Sequence, residues 1–364
     1  MDIVFRTDSS REIGTGHVMR CLTLADALKE KGCRALFICR DFAGNIGGLV
    51  RAKGHEVVYL PHRQDEPDPD DRVFHAAWLG TSWQQDAEDT ATVLRERFDR
   101  PVDWLVVDHY GIDAKWEKTL RPYTRKIMVI DDLADRPHDC DLLLDQNLYE
   151  NMEKRYDGLV PPGAIKLLGP KYALLRPEFY RARQSIRQRD GTVRRILVFF
   201  GGSDPTNETL KALKAIKMLD RPDIAVDVVI GSSNLHKEEI AAFCRDMPQV
   251  TLHCQVDNMA ELMANADLAI GAGGTTTWER CYLGLPTITI IIADNQAEVL
   301  TVLAQNGVIW NLGFCHSVRI VDITQAVRKL TNCRICLKTM EKLAQQLLDS
   351  ADDGYEVVCL KYLL

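Results

Sequence analysis

The chain has 364 residues, of which 46% are hydrophobic and 27% are charged. This composition is typical of a globular protein, and the length predicts two domains of roughly 100–200 residues each. The net charge of -7, with no basic block, argues against a nucleic-acid partner, which needs clustered Lys and Arg to neutralise phosphates.

Short apolar runs alternate with helical patterns along the chain. In the first half the predicted strands are Ile3–Arg6, Ala35–Cys39, Val57–Leu60, Trp104–Val107, Ile127–Ile130 and Leu142–Leu144. Between the first two, the spacing of Leu22, Ala25 and Leu28 predicts a helix over His17–Lys31. In the second half the predicted strands lie within 194–202, 225–232, 267–274 and 285–293, each followed by a helix.

This alternation predicts parallel sheets covered by helices on both faces. We therefore predict an α/β protein with two doubly wound, Rossmann-like domains that face each other across a cleft. The domains are expected at 1–180 and 190–345, joined through the charged stretch 176–195, with 346–364 as a helical tail that packs back on the N-terminal domain. Ligands of such sheets bind beyond the carboxyl ends of the strands.

The first strand is followed by the small-residue loop "IGTGH". Gly14 and Gly16 resemble a phosphate cradle, but His17 opens the helix, where the helix dipole disfavours the imidazolium and favours a neutral base. Arg20, one turn further, is placed to meet an anion. The alternative is that His17 caps the loop or donates to a phosphate.

A second loop of the N-terminal half, "VVDHYGID", follows the strand at Trp104–Val107. Asp108 is suited to orient a partner, and Tyr110 to donate or accept a hydrogen bond.

The stretch "AIGAGGTTTWER" joins a buried strand to a helix that is predicted to begin near Thr275. Gly273 and Gly274 allow close backbone approach, and the Thr275 and Thr276 hydroxyls can hold phosphate oxygens. Glu279, one turn into the helix, can accept hydrogen bonds from a ribose diol. The alternative is an ordinary helix start in which the glycines serve tight packing.

The stretch "FFGGSDPTNET" is a second junction of this kind, with Gly202 and Ser203 before a helix predicted from about Thr206. Two such loops in one domain favour a nucleotide diphosphate over either loop alone. No Walker A lysine follows the glycines, and Met19 stands where the dinucleotide fingerprint needs its third glycine. The aspartates of 131–145 match no calcium loop, so we expect neither a metal nor a cofactor.

Cellular location and cysteine chemistry follow from weaker signals. The N-terminus lacks the features of a signal peptide, and the longest apolar run, 285–293, is about half a membrane span, so we expect a cytoplasmic protein without a membrane partner. Eleven scattered cysteines predict reduced thiols, and the lone C-x-x-C pair of Cys333 and Cys336 predicts no metal or redox role. We expect a monomer.

Taken in order, "DSSREIGTGHVMRC", "VVDHYGID", "VIDDLADRPHDCDLLLDQN", "FFGGSDPTN" and "GAGGTTTWERCYLGLPTITI" resemble the UDP-sugar hydrolases of pseudaminic acid biosynthesis. These enzymes act on UDP-2,4-diacetamido-2,4,6-trideoxy-β-L-altropyranose. They are related to the GlcNAc transferase of peptidoglycan synthesis, within the GT-B superfamily.

The resemblance implies a GT-B-like fold with UDP on the C-terminal domain and the sugar facing the N-terminal one. It implies that His17 is the base for water, that Tyr110 assists and that Glu279 holds the ribose. It further implies a set of pyrophosphate and sugar contacts: Gly274, Thr275, Thr276, Asn295 and Gln296.

The expected activity is metal-independent hydrolysis of the UDP-linked sugar to UDP and free sugar, with inversion at the anomeric carbon. Its expected setting is pseudaminic acid biosynthesis, with flagellin glycosylation as the expected destination of the product and capsule as the alternative. Two alternatives remain: a GT-B glycosyltransferase with an acceptor hydroxyl in place of water, and a UDP-sugar binding protein without turnover.

Overall fold

The computed structural model describes residues 1–61, 63, 73–348, 357 and 359–364. The chain forms two compact units. The first unit contains Met1–Asn147, Asn151–Leu174 and the described residues from 357 onward, and the second contains Leu148–Glu150 and the described residues from 175 to 348. Among the described residues, no helix has the length and apolar character needed to cross a membrane.

The first unit is built on a parallel sheet of seven strands. They are β1 (Asp2–Thr7), β2 (Arg34–Arg40), β3 (Glu56–Leu60), β4 (Val102–Asp108), β5 (Thr124–Ile130), β6 (Leu142–Asp145) and β7 (Ile165–Leu168). The strand order is β3-β2-β1-β4-β5-β6-β7, so the order reverses between β1 and β4. In doubly wound sheets this reversal opens a crevice beyond the carboxyl ends of the two strands.

Helices cover both faces of this sheet. They are α1 (Gly16–Glu30), α2 (Gly47–Ala52), α3 (Trp83–Arg97) and α4 (Ala114–Leu120). Helix α1 follows β1 directly and buries Val18, Cys21, Leu22 and Leu28 against the sheet, at the spacing of one helix face. It ends before Gly32, whose φ of 81° suits a residue without a side chain.

The second unit has a parallel sheet of six strands. They are β8 (Arg195–Phe199), β9 (Ala225–Ile230), β10 (Val250–Cys254), β11 (Leu268–Ala272), β12 (Thr287–Ile291) and β13 (Trp310–Phe314). The order β10-β9-β8-β11-β12-β13 reverses between β8 and β11. The helices of this unit are α5 (Pro177–Gln184), α6 (Glu208–Leu219), α7 (Lys237–Arg245), α8 (Met259–Asn265), α9 (Thr276–Tyr282), α10 (Ala297–Gln305), α11 (Ile320–Thr331) and α12 (Arg334–Leu348).

After the second unit the chain returns to the first. Helix α13 (Leu360–Leu363) places Cys359, Leu360 and Leu363 in the apolar core beneath α1, and the Trp104 indole Nε1 donates to the Leu363 carbonyl at 3.1 Å. Residues 349–356 and 358 of the predicted tail lie outside the described residues.

The prediction of two doubly wound parallel sheets is confirmed. The strands β7, β10 and β13 were not predicted, and each lies at an edge of its sheet. The prediction of reduced thiols is wrong at one pair, since Cys333 and Cys336 form a disulfide. Their spacing at the start of α12 brings the Cα atoms to 5.3 Å, within the range that a disulfide bridges.

Candidate active site

The sheet reversal of the first unit brings His17 and Asp108 together. His17 is the second residue of α1, and Asp108 is the last residue of β4, paired in register with Thr7 of β1. The His17 Nδ1 and Asp108 Oδ1 atoms are 2.6 Å apart, and both side chains are buried. His17 and Asp108, 91 positions apart in the chain, are therefore joined by a direct hydrogen bond.

Arg20, one turn after His17, holds the same carboxylate. Its Nε donates to Asp108 Oδ2 at 2.6 Å and its Nη2 to Asp108 Oδ1 at 2.7 Å, the two-pronged geometry of strong Arg–carboxylate pairs. Burial would raise the pKa of Asp108, but the charges of Arg20 and His17 outweigh it and hold that pKa well below its ordinary value. Asp108 is therefore a carboxylate at any physiological pH.

The charge of Asp108 decides which nitrogen of His17 can act as a base. A carboxylate only accepts hydrogen bonds, so the Nδ1 atom of His17 carries the proton and donates it to Asp108. In the neutral ring the lone pair is then on Nε2, which makes no hydrogen bond within the described part of the chain. This is the arrangement of a histidine that is oriented by a carboxylate to take a proton.

Tyr110 packs against the imidazole and is tied to Asp132. Its ring lies edge-on to that of His17, with 4.5 Å between the centroids. The Tyr110 hydroxyl donates to Asp132 Oδ1, while Arg20 Nη1 donates to Asp132 Oδ2 at 3.0 Å. Sequence reasoning missed Asp132, although its place directly after β5, the neighbour of β4, puts it at the same edge of the sheet.

Two further rings that were not predicted lie around Tyr110. The Trp78 ring stacks on that of Tyr110 with 5.7 Å between centroids, and the His75 ring lies 5.4 Å away. Burial lowers the pKa of His75, so its ring is neutral at physiological pH. The His17 imidazole therefore stands in largely aromatic surroundings.

The two glycines at the start of α1, Gly14 and Gly16, have different local roles. Gly14 has a φ of 79°, and its N–H donates to the Ser10 carbonyl at 3.0 Å, closing a tight turn. Gly16 begins α1 with no such φ, and an added Cβ would meet no atom within 4 Å. Backbone conformation accounts for Gly14, whereas no packing contact with a described residue requires glycine at position 16.

Glu279 has one oxygen in use and one unpaired. In α9 of the second unit, Glu279 Oε1 accepts from Arg176 Nε at 3.1 Å and lies 3.0 Å from Arg176 Nη2. Glu279 Oε2 is buried without a partner among the described residues. Burial raises the pKa of Glu279 although Arg176 opposes it. Sequence reasoning missed Arg176, which it assigned to the stretch between the domains.

The glycine-rich loop between β11 and α9 is shaped by its neighbour. A Cβ on Gly273 would come within 3.1 Å of the Gln296 side chain, so glycine lets the two loops pack closely. Gly274 has a φ of 98°. Thr275 is the N-cap residue of α9 and its hydroxyl does not cap the helix, and Thr276 is the first helical residue.

The neighbouring loop before α10 carries Asn295 and Gln296. The amide oxygen of Gln296 accepts from the Ile292 N–H at 3.2 Å, which fixes this loop internally. Asn295 is exposed in the short 3-10 turn Asp294–Gln296. The predicted contacts Gly273, Gly274 and Gln296 are thus brought together.

The loop after β8 differs from the predicted cradle. The Asp204 carboxylate accepts from the N–H groups of Glu208 at 3.0 Å and Thr209 at 2.9 Å, so a side chain of the protein already satisfies the start of α6. Gly202 is packed against Gly231, where an added Cβ would lie 2.4 Å from the Gly202 carbonyl oxygen. Ser203 lies half-buried beside it.

In the part of the chain that the structure describes, no group of three or more His, Cys, Asp and Glu side chains is arranged to hold a metal ion.

Comparison with known proteins identifies the fold. Residues 195–353 match the glycosyltransferase family 28 C-terminal domain. The Acinetobacter baumannii MurG structure superimposes with a TM-score of 0.64 at 16% identity over 100% of both chains. The structure of a UGT transferase from Siraitia grosvenorii in complex with UDP superimposes with a TM-score of 0.64 at 13% identity, over 100% of this chain and 98% of that one. The chain has the GT-B fold.

Relatives by sequence confirm the resemblance that the motifs indicate. The UDP-2,4-diacetamido-2,4,6-trideoxy-beta-L-altropyranose hydrolase of Campylobacter jejuni is 26% identical over 84% of this chain and 97% of its own. The spore coat polysaccharide biosynthesis protein SpsG of Bacillus subtilis is 25% identical over 86% of this chain and 84% of its own. An uncharacterized protein of Methanocaldococcus jannaschii is 25% identical over 82% of this chain, which spans 57% of the length of that relative.

Proposed function

We propose that this GT-B protein hydrolyses a UDP-linked amino sugar at the anomeric carbon and releases UDP and the free sugar. The observation that carries the proposal is the His17–Asp108 hydrogen bond of 2.6 Å, with Arg20 holding the carboxylate. The name of the Campylobacter jejuni relative supports the choice of reaction.

In the proposed step, His17 Nε2 takes one proton from a water molecule as its oxygen bonds to the anomeric carbon. The bond from that carbon to the phosphate oxygen breaks, and its electron pair leaves with UDP. Asp108 stabilises the imidazolium that forms, and general-base catalysis of this kind contributes about 10²–10⁴-fold.

The second unit is proposed to hold the nucleotide. The unpaired Oε2 of Glu279 can accept from a ribose hydroxyl, which would satisfy a buried acceptor. The proposed diphosphate contacts are the backbone of Gly274 and the backbone and hydroxyls of Thr275 and Thr276. Asn295 and Gln296 on the adjoining loop are proposed to add side-chain contacts. The UDP complex of the Siraitia grosvenorii protein, which shares this fold, is consistent with a nucleotide-binding role.

Three finer points belong to the same proposal. The substrate is UDP-2,4-diacetamido-2,4,6-trideoxy-β-L-altropyranose, as in the Campylobacter jejuni relative, and the product enters pseudaminic acid biosynthesis. Water attacks directly, so the configuration inverts, because Asp108 is engaged by Arg20 and His17 and cannot serve as a nucleophile. The reaction proceeds without a metal ion, since His17 supplies the base.

A glycosyltransferase is the second candidate, favoured by the family 28 match over residues 195–353. It would use the same base on an acceptor hydroxyl in place of water.

The deciding experiment offers the UDP-sugar in ¹⁸O-labelled water, with EDTA and without any acceptor. We expect UDP release, with the label in the sugar and none in UDP. Label in a phosphate, or loss of activity in EDTA, would contradict the mechanism. UDP release only after an acceptor is added would identify a transferase, and tight binding without release under either condition would identify a binding protein.

A further inference from the structure

Arg280 is a buried arginine without an ion pair among the described residues. It lies in α9 with 2% of its surface exposed, and its Nε has no hydrogen-bond partner in the part of the chain that the structure describes. The other arginines that the structure buries all pair with a carboxylate. These pairs are Arg6–Asp86, Arg20–Asp108, Arg40–Asp86, Arg136–Asp131 and Arg189–Glu341. The carboxylate of the adjacent Glu279 pairs with Arg176 and not with Arg280.

An unpaired charge inside a protein is costly, because it loses its water and gains no partner. Burial accordingly lowers the pKa of Arg280 to about 10, which still leaves the guanidinium charged at physiological pH. An arginine that is kept at this cost suits an anion that comes from outside the chain.

The guanidinium of Arg280 lies at the carboxyl ends of β8 and β11, where the strand order of the second sheet reverses. Its Nη2 donates to the carbonyl of Ala272, the last residue of β11, at 2.6 Å. Its Nη1 lies beside Gly271, where an added Cβ would be 2.6 Å from Nη1 and 2.4 Å from the carbonyl oxygen of Phe199, the last residue of β8. The glycine loop that is proposed to hold the diphosphate follows Ala272 directly, at the crevice that such a reversal opens.

We propose that Arg280 is a positioning residue of the candidate nucleotide site, and that its charge makes this site prefer a diphosphate to an uncharged nucleoside. This inference rests on the proposed binding of the nucleotide by the second unit.

Arg280 acts on the loop from the two elements that flank it. Its Nη2 donates to the Ala272 carbonyl on the strand side and to Thr277 Oγ1, at 3.1 Å, on the helix side. The end of β11 and the first turn of α9 are thus held by one planar group, and the loop between them is fixed at both of its ends.

The charge of Arg280 adds an electrostatic effect to this brace. A buried charge is screened less than an exposed one, so its attraction reaches an anion that does not touch it. The Ala272 carbonyl would repel an anion at the end of β11, and a charge-assisted hydrogen bond from Arg280 offsets that repulsion. Both effects act on the phosphates of the ligand and neither acts on an uncharged uridine.

The test measures the affinities of UDP and of uridine by calorimetric titration and takes their ratio as the readout. Arg280→Met keeps most of the volume and removes the charge, so the affinity for UDP should fall about 10- to 100-fold while that for uridine changes little. Arg280→Gln, which keeps an N–H donor without the charge, should also lose the preference for UDP. Arg280→Lys, which keeps the charge, should retain most of it.

The matched control is Arg195→Gln. Arg195 is the first residue of β8, at the opposite end of the same sheet, and its Nη1 lies 2.6 Å from Asp227 Oδ2. The substitution removes the same charge from the same unit, and the ratio of the two affinities should equal that of the wild type.

Three results would overturn the proposal. One is an equal loss of UDP and uridine affinity in Arg280→Met and Arg280→Gln, which would make Arg280 a structural brace alone. The others are an unchanged ratio in these variants and a change in Arg195→Gln as large as theirs. If Arg280→Met does not fold, Arg280→Gln and Arg280→Lys differ chiefly in charge and decide the question.

Binding of UDP needs no turnover, so this test is separate from that of the hydrolysis. A wild type that binds UDP but releases no sugar from the UDP-sugar would refute the hydrolase function, and the ratio would still decide the role of Arg280. A wild type that binds neither UDP nor uridine would refute the nucleotide site and this inference together.

Discussion

His17 is not the only histidine of the first unit that pairs with an aspartate. In another such pair, His55 Nε2 lies 2.7 Å from Asp26 Oδ1. We expect His17→Asn to fold and bind UDP but to lose about 10²–10⁴-fold in kcat, because the base for water is gone. His55→Asn, which removes a similar pair elsewhere, should keep full kcat. Loss of UDP affinity in His17→Asn as large as the loss of turnover would make His17 a phosphate ligand instead.

The raised pKa of Glu279 leads us to predict that nucleoside binding depends on pH. Its burial raises the pKa of the carboxyl, and only the ionised form accepts from both hydroxyls of a ribose. The affinity for the nucleoside should therefore be highest well above this raised pKa and should fall as the pH drops through it. The fall should occur at a higher pH than for an ordinary glutamate, whose pKa is about 4.3.

Uridine is the right probe for this titration, because it carries no phosphate that protonates in the same range. Calorimetric titration should show the acid loss in the wild type, and a weaker affinity that is flat with pH in Glu279→Gln. A wild-type affinity that stays constant through the acid range would remove Glu279 from the ribose.

For single residues, the sequence analysis proposed those that stand in local motifs and assigned no role to Asp132 and Arg176, which bond to them. His17, Asp108 and Tyr110 stand in short glycine- or strand-end signatures that can be recognised in one stretch. Asp132 and Arg176 are recognised only through bonds to Arg20 and Glu279, which are 112 and 103 positions away in the chain. Such pairs depend on how strands align in the folded sheet, and a single sequence does not show that alignment.

Among the elements, α1 follows a turn that ends at Gly14, and Gly14 of the turn with Gly16 of the helix forms a matched test. Gly14→Ala forces a Cβ into a φ of 79° and should cost about 1–2 kcal/mol of unfolding free energy. It should also reduce kcat, since His17 lies three residues further on. Gly16→Ala needs no unusual backbone and meets open space, so its unfolding free energy should stay near that of the wild type.

Denaturant unfolding of the two variants measures the difference directly. Equal destabilisation by both substitutions would show that the Gly14 turn does not control the start of α1.

The strands that were missed are less buried than the central strands. Strand β11 is buried at every residue and reads as a continuous apolar run, whereas β10 and β13 are only partly buried and include His253 and Asn311. An edge strand has one open side and tolerates polar residues, so its sequence can lack the apolar run by which a central strand is recognised. The edge strand β3 keeps such a run at Val57–Leu60 and was predicted.

At the scale of the molecule, the two units have separate apolar cores. Leu360 is buried in the core of the first unit, next to Leu363 and Cys359. Leu360→Ala should lower the unfolding free energy of that unit by about 2–5 kcal/mol, the usual cost of a buried leucine, and should leave the second unit unaffected.

Scanning calorimetry with and without uridine is the measurement, because the proposed nucleoside binding to the second unit should raise the melting temperature of that unit. Ile335→Ala, at a side chain that is 79% exposed, is the matched surface control. A Leu360→Ala variant with both transitions unchanged would show that α13 contributes nothing to the first core.

The path of the chain has a consequence for synthesis in the cell. A ribosome makes the strands of the first unit, then the whole of the second unit, and only afterwards Cys359, Leu360 and Leu363, which close the first core. The part made first is thus completed last, and the apolar surface beneath α1 must wait uncovered while a full six-stranded sheet emerges and folds. A chain cut after residue 348 would lack Cys359, Leu360 and Leu363 and would leave their part of the first core uncovered.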